Sequence, residues 1–413
     1  MDKLIKAQSP NSYMDIKDIE GLRWPRSEKL RKAATNRTLT PNDLLALKSR
    51  SFYLPIWMLQ LTRGNDETNK RPIITNLYNI LREQDTIEDA NPQKIDSQTK
   101  INTIDNFVYI INQLSRRNPS ESIDDLVKNE LAKLTKLLKT GVMDEDERVF
   151  VEHFGRGGVL ESIRADATRP VKEAIFMCTT SMATGMKRFL ENGKIDTMQK
   201  LDEYCSYVAG DVGTALNRII EHSDKIKLDD NGAKIFGLSL QKTNVLKNIH
   251  EDWTKRGVLY LPKELLSDVA NEKLFDMENS CGRSTRESAL KEMILNTRKD
   301  LRTSLDYIVS IPESLTGYQG FAMIPFLAAI ETLRAMESGG AEAVFSGKED
   351  AIKMSQESFH NISRFTYSLM SLENGKRSKD FMTLYREDQD AKEHNKYCFD
   401  NKRFEKWTKE LFK

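Results

Sequence analysis

An all-helical protein is what this sequence predicts, on three observations. From about residue 41 apolar residues recur at spacings of three and four, one helix face after another. Period-two alternation, the mark of a half-buried strand, is scarce. Core material is plentiful: of 413 residues 39% are apolar and 30% charged. That is enough for one large helical domain or roughly two to three ordinary ones.

The helical patterns are separated by short polar breaks. In order these fall near Gly64 to Pro72, Ala90 to Ser97, Asn118 to Ser120, Gly155 to Gly158, Asn192 to Lys194, Asp229 to Gly232 and Ser338 to Gly340. The intervening segments are the expected helices. One stretch reads differently: residues 144–174, DEDERVFVEHFGRGGVLESIRADATRPVKEA, are polar with glycines in the middle and predict a mobile, lid-like excursion. Neither a fixed-period repeat nor a low-complexity tract is present.

Composition excludes several classes. With 63 basic and 62 acidic residues the formal net charge is +1, so no nucleic-acid binding driven by phosphate neutralisation is expected. Cys178, Cys205, Cys281 and Cys398 are too dispersed for a zinc pattern or a disulfide framework. The five histidines show no paired-ligand spacing. The first residues, MDKLIKAQSPNSYMD, lack the apolar stretch of a signal peptide, and FAMIPFLAAI at 321–330, the longest apolar piece, is too short to span a bilayer. A cytoplasmic protein, soluble or peripherally membrane-associated, is the expectation.

Chemistry concentrates in two short stretches. Asp85, Glu88 and Asp89 stand at i, i+3 and i+4, so on a helix all three carboxylates project from one face. Alone, such a cluster is usually a solvated face. Extending the stripe backwards adds Arg82 and Tyr78, which makes it active-site-like. Hard oxygen ligands of this kind suit Mg²⁺, typically held by a few carboxylates together with substrate phosphates. The spacing recurs in Asn248, Glu251 and Asp252, with Gln241 and Asn244 continuing the stripe upstream. Two facing triplets would hold several metal ions, and such ions would neutralise a diphosphate and make it a better leaving group.

Four blocks, in this order, resemble the squalene and phytoene synthase family of head-to-head prenyltransferases. SRSFYLPIW (49–57) is similar to the family's opening SRSF helix, and NLYNILREQDTIEDANP (76–92) to its first aspartate-rich motif. YCSYVAGDVGTALNRII (204–220) resembles the YCxYVAGxVG helix, and GLSLQKTNVLKNIHEDWTKRGVLYLP (237–262) the block with the second acidic motif. The resemblance covers residues 40 to 360 and implies a single-domain isoprenoid synthase fold with a central cavity between helices. It implies domains at 1–39 (an N-terminal extension), 40–375 (catalytic) and 376–413 (a polar helical tail).

It also implies the reaction. Two farnesyl diphosphates condense to presqualene diphosphate, which is rearranged and reduced by NADPH to squalene, in an enzyme expected to be monomeric with peripheral membrane contact for product release. By resemblance Asp85, Glu88, Asp89, Asn248, Glu251 and Asp252 bind Mg²⁺. Arg50 and Arg82 contact phosphate oxygens, and Ser51, Phe52, Tyr78, Tyr207, Gln241 and Asn244 complete the substrate site. Tyr204 assists proton removal as the cyclopropane closes. Arg50, Arg82, Lys247 and Lys353 are the cations available to the cofactor.

This sequence departs from the family pattern at several points. Asn248 stands where the family has Asp, so the second motif loses a formal charge and should bind metal less tightly. Lys247 replaces an Arg, keeping charge without the bidentate fork. Ser355 stands where the NADPH region would carry a second cation beside Lys353. The ending NKRFEKWTKELFK lacks the anchor of eukaryotic squalene synthases, which predicts a naturally anchorless enzyme or a trimmed chain. Residues 144–174 read as a lineage insertion near the pocket mouth. An alternative product, presqualene diphosphate or another C30 compound, follows if Asn248 and Ser355 disable the second half-reaction; a catalytically silent prenyl-diphosphate-binding protein is the third reading.

Overall fold

The computed structural model describes residues 27–59, 70–115, 121–142, 144–156 and 158–348, with scattered positions from 352 to 366. Among them there is no strand, as the periodicity predicts. The N-terminal extension up to residue 26, the 376–413 tail, Lys353 and Ser355 lie outside the described residues.

Two short helices, α1 (Ser27–Ala34) and α2 (Pro41–Lys48), lead into the SRSF block. Thr40 and Asp43 form a reciprocal capping box that starts α2, with Pro41 in its first turn. Ser49 then breaks the chain and caps α3 (Arg50–Met58) by accepting from the Phe52 amide at 3.0 Å. α4 (Lys70–Asp89) carries the first acidic motif. It is followed by α5 (Ser97–Ser115), α6 (Glu121–Gly141), α7 (Glu145–Phe154) and α8 (Val159–Asp166). α9 (Arg169–Asn192) stops at Gly193, whose φ of 67° is the left-handed C-cap glycine favours.

Next come α10 (Met198–Cys205), a π-helical turn (Ser206–Gly210) and α11 (Asp211–Asp224), continuous with one another. α12 (Asp230–Glu251) likewise runs on into a π-helical turn (Asp252–Arg256), which Gly257 ends. A short α13 (Asn271–Leu274) precedes the long α14 (Ser280–Ser310) and α15 (Thr316–Phe345). α12 lies at the centre, packed on α14, α15, α11 and the first π turn, while α15 also covers α3. α3, α4, α11, α12 and α15 therefore surround one cavity.

Three sequence expectations are corrected here. Residues 144–174 are not an excursion: α7, α8 and the start of α9 bury Phe150, Val151, Phe154, Val159, Leu160 and Ile163. The glycines mark only the turn between two helices, whose apolar residues recur at helical spacing. The break near Asp229 to Gly232 falls earlier, between α11 and Asp229, because Asp229 is the N-cap of α12. Ser338 to Gly340 is a kink rather than an end, absorbed by Gly340 at φ 75°. The Asn118–Ser120 break, and most of the one before Pro72, lie outside the described residues.

Helices 11 and 12 approach too closely for side chains at two glycines. A Cβ on Gly213 would stand 2.2 Å from the Ala233 carbonyl oxygen, and one on Gly237 2.1 Å from that of Ala209. Backbone cannot yield as a flexible side-chain tip can. Gly213→Ala or Gly237→Ala should therefore force the helices apart and cost about 1–3 kcal/mol of overpacking. Chemical denaturation would show this as a lowered midpoint; an unchanged midpoint for both variants would contradict the close approach.

Candidate active site

The cavity has a volume of about 370 Å³, with an apolar floor that includes Ile56, Leu77, Val208, Leu216, Phe236 and Phe321. Its charged wall is built by two helix ends. α4 contributes Tyr78, Arg82, Asp85, Glu88 and Asp89; α12 and its π turn contribute Gln241, Asn244, Lys247, Asn248, Asp252 and Arg256. Ser51 and Phe52 arrive from α3, with the Phe52 and Tyr78 rings 5.8 Å apart. The Arg50 side chain, like Lys353, lies outside the described residues.

Arg256 joins the two acidic ends. Its Nη1 stands 3.0 Å from Asp89 Oδ1 and 2.7 Å from Asp252 Oδ1. Arg82 Nη1 lies 3.6 Å from Asp85 and 4.0 Å from Asp89, while its Nη2 donates to Glu147 at 2.9 Å. Both guanidiniums are held above their ordinary range: the surrounding carboxylates outweigh burial, which by itself would lower them. The carboxyls respond in the opposite sense. Burial raises Asp85 to about 7 and Asp252 to about 7 against the pull of the arginines. Glu88 rises to about 8 through burial and the neighbouring Asp89 and Asp85.

Glu88 sits under Tyr204, whose hydroxyl donates to its carboxylate at 3.1 Å. Burial first, then the Glu88 charge, lifts the Tyr204 phenol well above its usual range, so it stays protonated. Tyr204, Tyr260 and Phe189 form an aromatic stack, with centroids 5.3 Å apart for the tyrosines and 4.5 Å for Phe189 and Tyr260. Behind α4, the Lys100 amine donates to the Glu88 carbonyl at 2.6 Å and holds the last turn of the helix.

Two residues of the sequence-derived set stand apart. Tyr207 does not line the cavity; it packs over Gly185 and meets Arg188, whose Nη1 donates to its hydroxyl at 2.9 Å. The wider π turn at Ser206–Gly210 is the reason, since it brings Val208 and Ala209 round to follow Tyr204. Glu251 is exposed and paired with Lys255 at 2.7 Å. The cavity face of α12 runs Gln241, Asn244, Asn248, Asp252, so the second triplet resolves to an i, i+4 pair. His250 lies off that face, its Nδ1 2.8 Å from the Phe345 carbonyl.

Sequence reasoning missed Lys48, Arg256, Tyr260, Glu147 and Lys100. Arg256 carried a signal, four residues after Asp252. Lys48 and Tyr260 line the cavity but adjoin blocks read for other residues.

The donors present are the hard oxygens that Mg²⁺ takes: carboxylates of Asp85, Glu88, Asp89 and Asp252 and the Asn248 amide oxygen. Among the described residues no group of three His, Cys, Asp or Glu side chains is close enough to hold an ion by itself. An ion bound here would complete its shell with water and with oxygens of a bound anion.

The sequence profile of the squalene/phytoene synthase family matches residues 45–356, and the chain belongs to that family. A squalene synthase of Botryococcus braunii is 26% identical over 318 residues, spanning 76% of this chain and 61% of that protein. One from Cyberlindnera jadinii is 27% identical over 345 residues, or 81% of this chain and 69% of its own length. A solved structure of TcSQS with the ligand BPH1237 superposes with a TM-score of 0.62 at 21% identity, covering 90% of this chain and 96% of that one, which establishes the shared fold.

Glu83, on the far side of α4 from Asp85, is fully buried, and neither carboxylate oxygen meets a donor among the described residues. Burial raises it to about 8. A carboxyl whose folded-state value is raised gives stability that is present below its unfolded value, about 4, and lost as pH rises through the folded one. Glu83, Glu88, Asp85 and Asp252 all act in this sense. The metal-free protein should melt lower at pH 8.5 than at pH 5.5, and Glu83→Gln should raise the midpoint at pH 8.5 while changing it little at pH 5.5. A flat profile for the parent chain in differential scanning calorimetry would contradict these shifts.

Proposed function

We propose that this protein condenses two farnesyl diphosphates head to head into presqualene diphosphate and reduces that product to squalene with NADPH. The observation that carries the reading is the juxtaposition in one cavity of a charged wall, fit for diphosphate, with an apolar floor fit for a prenyl chain. Asp85, Glu88, Asp89, Asn248 and Asp252 would hold Mg²⁺. Bound there, the metal would neutralise the diphosphate and make it a better leaving group. Arg82 and Arg256 add permanent positive charge at the same wall, and Lys247 stands beside Asn244, donating to its Oδ1 at 3.0 Å.

The floor excludes water that would quench an allylic cation. Phe52 and Tyr78 present π faces able to stabilise one. Tyr204 has the features of a proton relay: its oxygen accepts the proton lost as the ring closes while its own proton moves to the hydrogen-bonded Glu88 carboxylate. The proposed enzyme acts as a monomer and releases its hydrocarbon product into a membrane surface.

A second reading is favoured by Asn248, which lines the cavity with an uncharged amide where the family has Asp. If the weakened motif matters only after condensation, the enzyme stops at presqualene diphosphate or gives another C30 product. Incubation with farnesyl diphosphate and Mg²⁺, with and without NADPH, separates the two by mass spectrometry. Squalene formed only with NADPH supports the first; the same diphosphate or alcohol under both conditions supports the second; no C30 product at all overturns both.

Residue roles generate their own expectations. Asp85→Ala and Asp89→Ala should abolish diphosphate release, and normal turnover in either would refute the metal assignment. Tyr204→Phe should lower kcat by at least roughly 10²-fold while leaving pyrophosphate affinity intact, as loss of a proton-transfer group does. Equal losses in kcat and affinity would instead make Tyr204 a binding residue.

A further inference from the structure

The cavity wall contains a cation that the acidic motifs do not account for. Lys48, the last residue of α2, lines the cavity with its side chain only 9% exposed. Its Nζ lies 3.3 Å from Glu147 Oε1 and 3.6 Å from Asp144 Oδ2. The same Glu147 oxygen accepts from Arg82 Nη2 at 2.9 Å, so one carboxylate gathers an ammonium and a guanidinium side by side. Glu147 does not line the cavity; it grips the two cations from behind. Its own position is fixed, because Asp144 caps α7 by accepting from the Glu147 amide at 2.7 Å.

Two adjacent cations repel, and burial opposes the charge on an amine. Burial and Arg82 both pull the Lys48 amine below its ordinary range, while Glu147 and Asp144 oppose that. The arrangement confines a charge that would otherwise swing away, at a wall where the second acidic motif has lost one of its own through Asn248.

We infer that Lys48 is a direct binding residue for the diphosphate head of the prenyl substrate, one that needs no metal, and that Glu147 is the positioning residue holding Lys48 and Arg82 toward the cavity. This rests on the diphosphate reading above. An ammonium fixed at the wall can supply part of the neutralisation that a divalent ion supplies elsewhere along it, so the site retains grip on diphosphate when magnesium is withdrawn.

Isothermal titration of the full chain with inorganic pyrophosphate, and separately with the unreactive farnesyl thiodiphosphate, tests this in EDTA and again in Mg²⁺. In EDTA, Lys48→Met should weaken both ligands at least about thirtyfold, the scale expected for one lost buried charge contact, and Lys48→Arg should recover most of it. Glu147→Gln should weaken both severalfold, and the Lys48→Met, Glu147→Gln double variant should lose less than the product of the single losses, since the two changes share one contact. Should Lys48→Met fail to fold by circular dichroism, Lys48→Gln replaces it.

Unchanged affinity in the Lys48 variants, or a loss confined to the prenylated ligand, overturns the assignment of Lys48 while leaving the diphosphate reading in place if the parent chain binds both ligands. Independent, multiplicative losses in the double variant overturn the role of Glu147. Absence of binding by the parent chain with and without Mg²⁺ overturns the inference together with the reading beneath it.

Discussion

The site depends on Arg256 lying between Asp89 and Asp252. The carboxyls of Asp85, Glu88, Asp89 and Asp252 share one wall of the cavity, where like charges repel one another. One guanidinium placed between the ends of α4 and α12 converts that repulsion into a tie across the cavity. The helices it links come from opposite halves of the sequence, so the tie is also a long-range constraint on the fold. Arg82 does the same work within α4 and, through Glu147, reaches the helices that follow.

Burial raises Asp85, Glu88 and Asp252 above the usual carboxylate range, and the arginines oppose that rise at Asp85 and Asp252. A region selected for folding alone would be expected to bury apolar groups at these positions instead. Glu83 differs in kind: it sits behind the site with no donor among the described residues, and the structure offers no functional reason for its charge.

Much of this was legible in the chain, and the exceptions have identifiable causes. Asp85, Glu88, Asp89, Arg82 and Tyr78 could be placed together because an uninterrupted α-helix converts spacing into a shared face. Tyr207, included by resemblance, lies inside a π turn and does not line the cavity. The spacing rule retained Glu251 in a triplet that the cavity resolves to two members. Residues 144–174 were misread because charged and glycine-rich residues at the surface masked a buried set of aromatic and aliphatic side chains, and Glu147 was hidden with them. Lys48 and Lys100 are near in space to the motifs but carry no pattern of their own.

The two π turns have a consequence for how related chains can be compared. Each contains about one residue more than an α-helix would need to cover the same rise, which makes it a single-residue insertion accommodated without breaking the helix. Deleting the extra residue from Ser206–Gly210 would return that turn to α-helical geometry and leave the helix beyond it in the same register. Divergence at these points should therefore take the form of gaps rather than exchanges, and a residue-for-residue alignment drawn across them without a gap would pair side chains about 100° apart around the same helix.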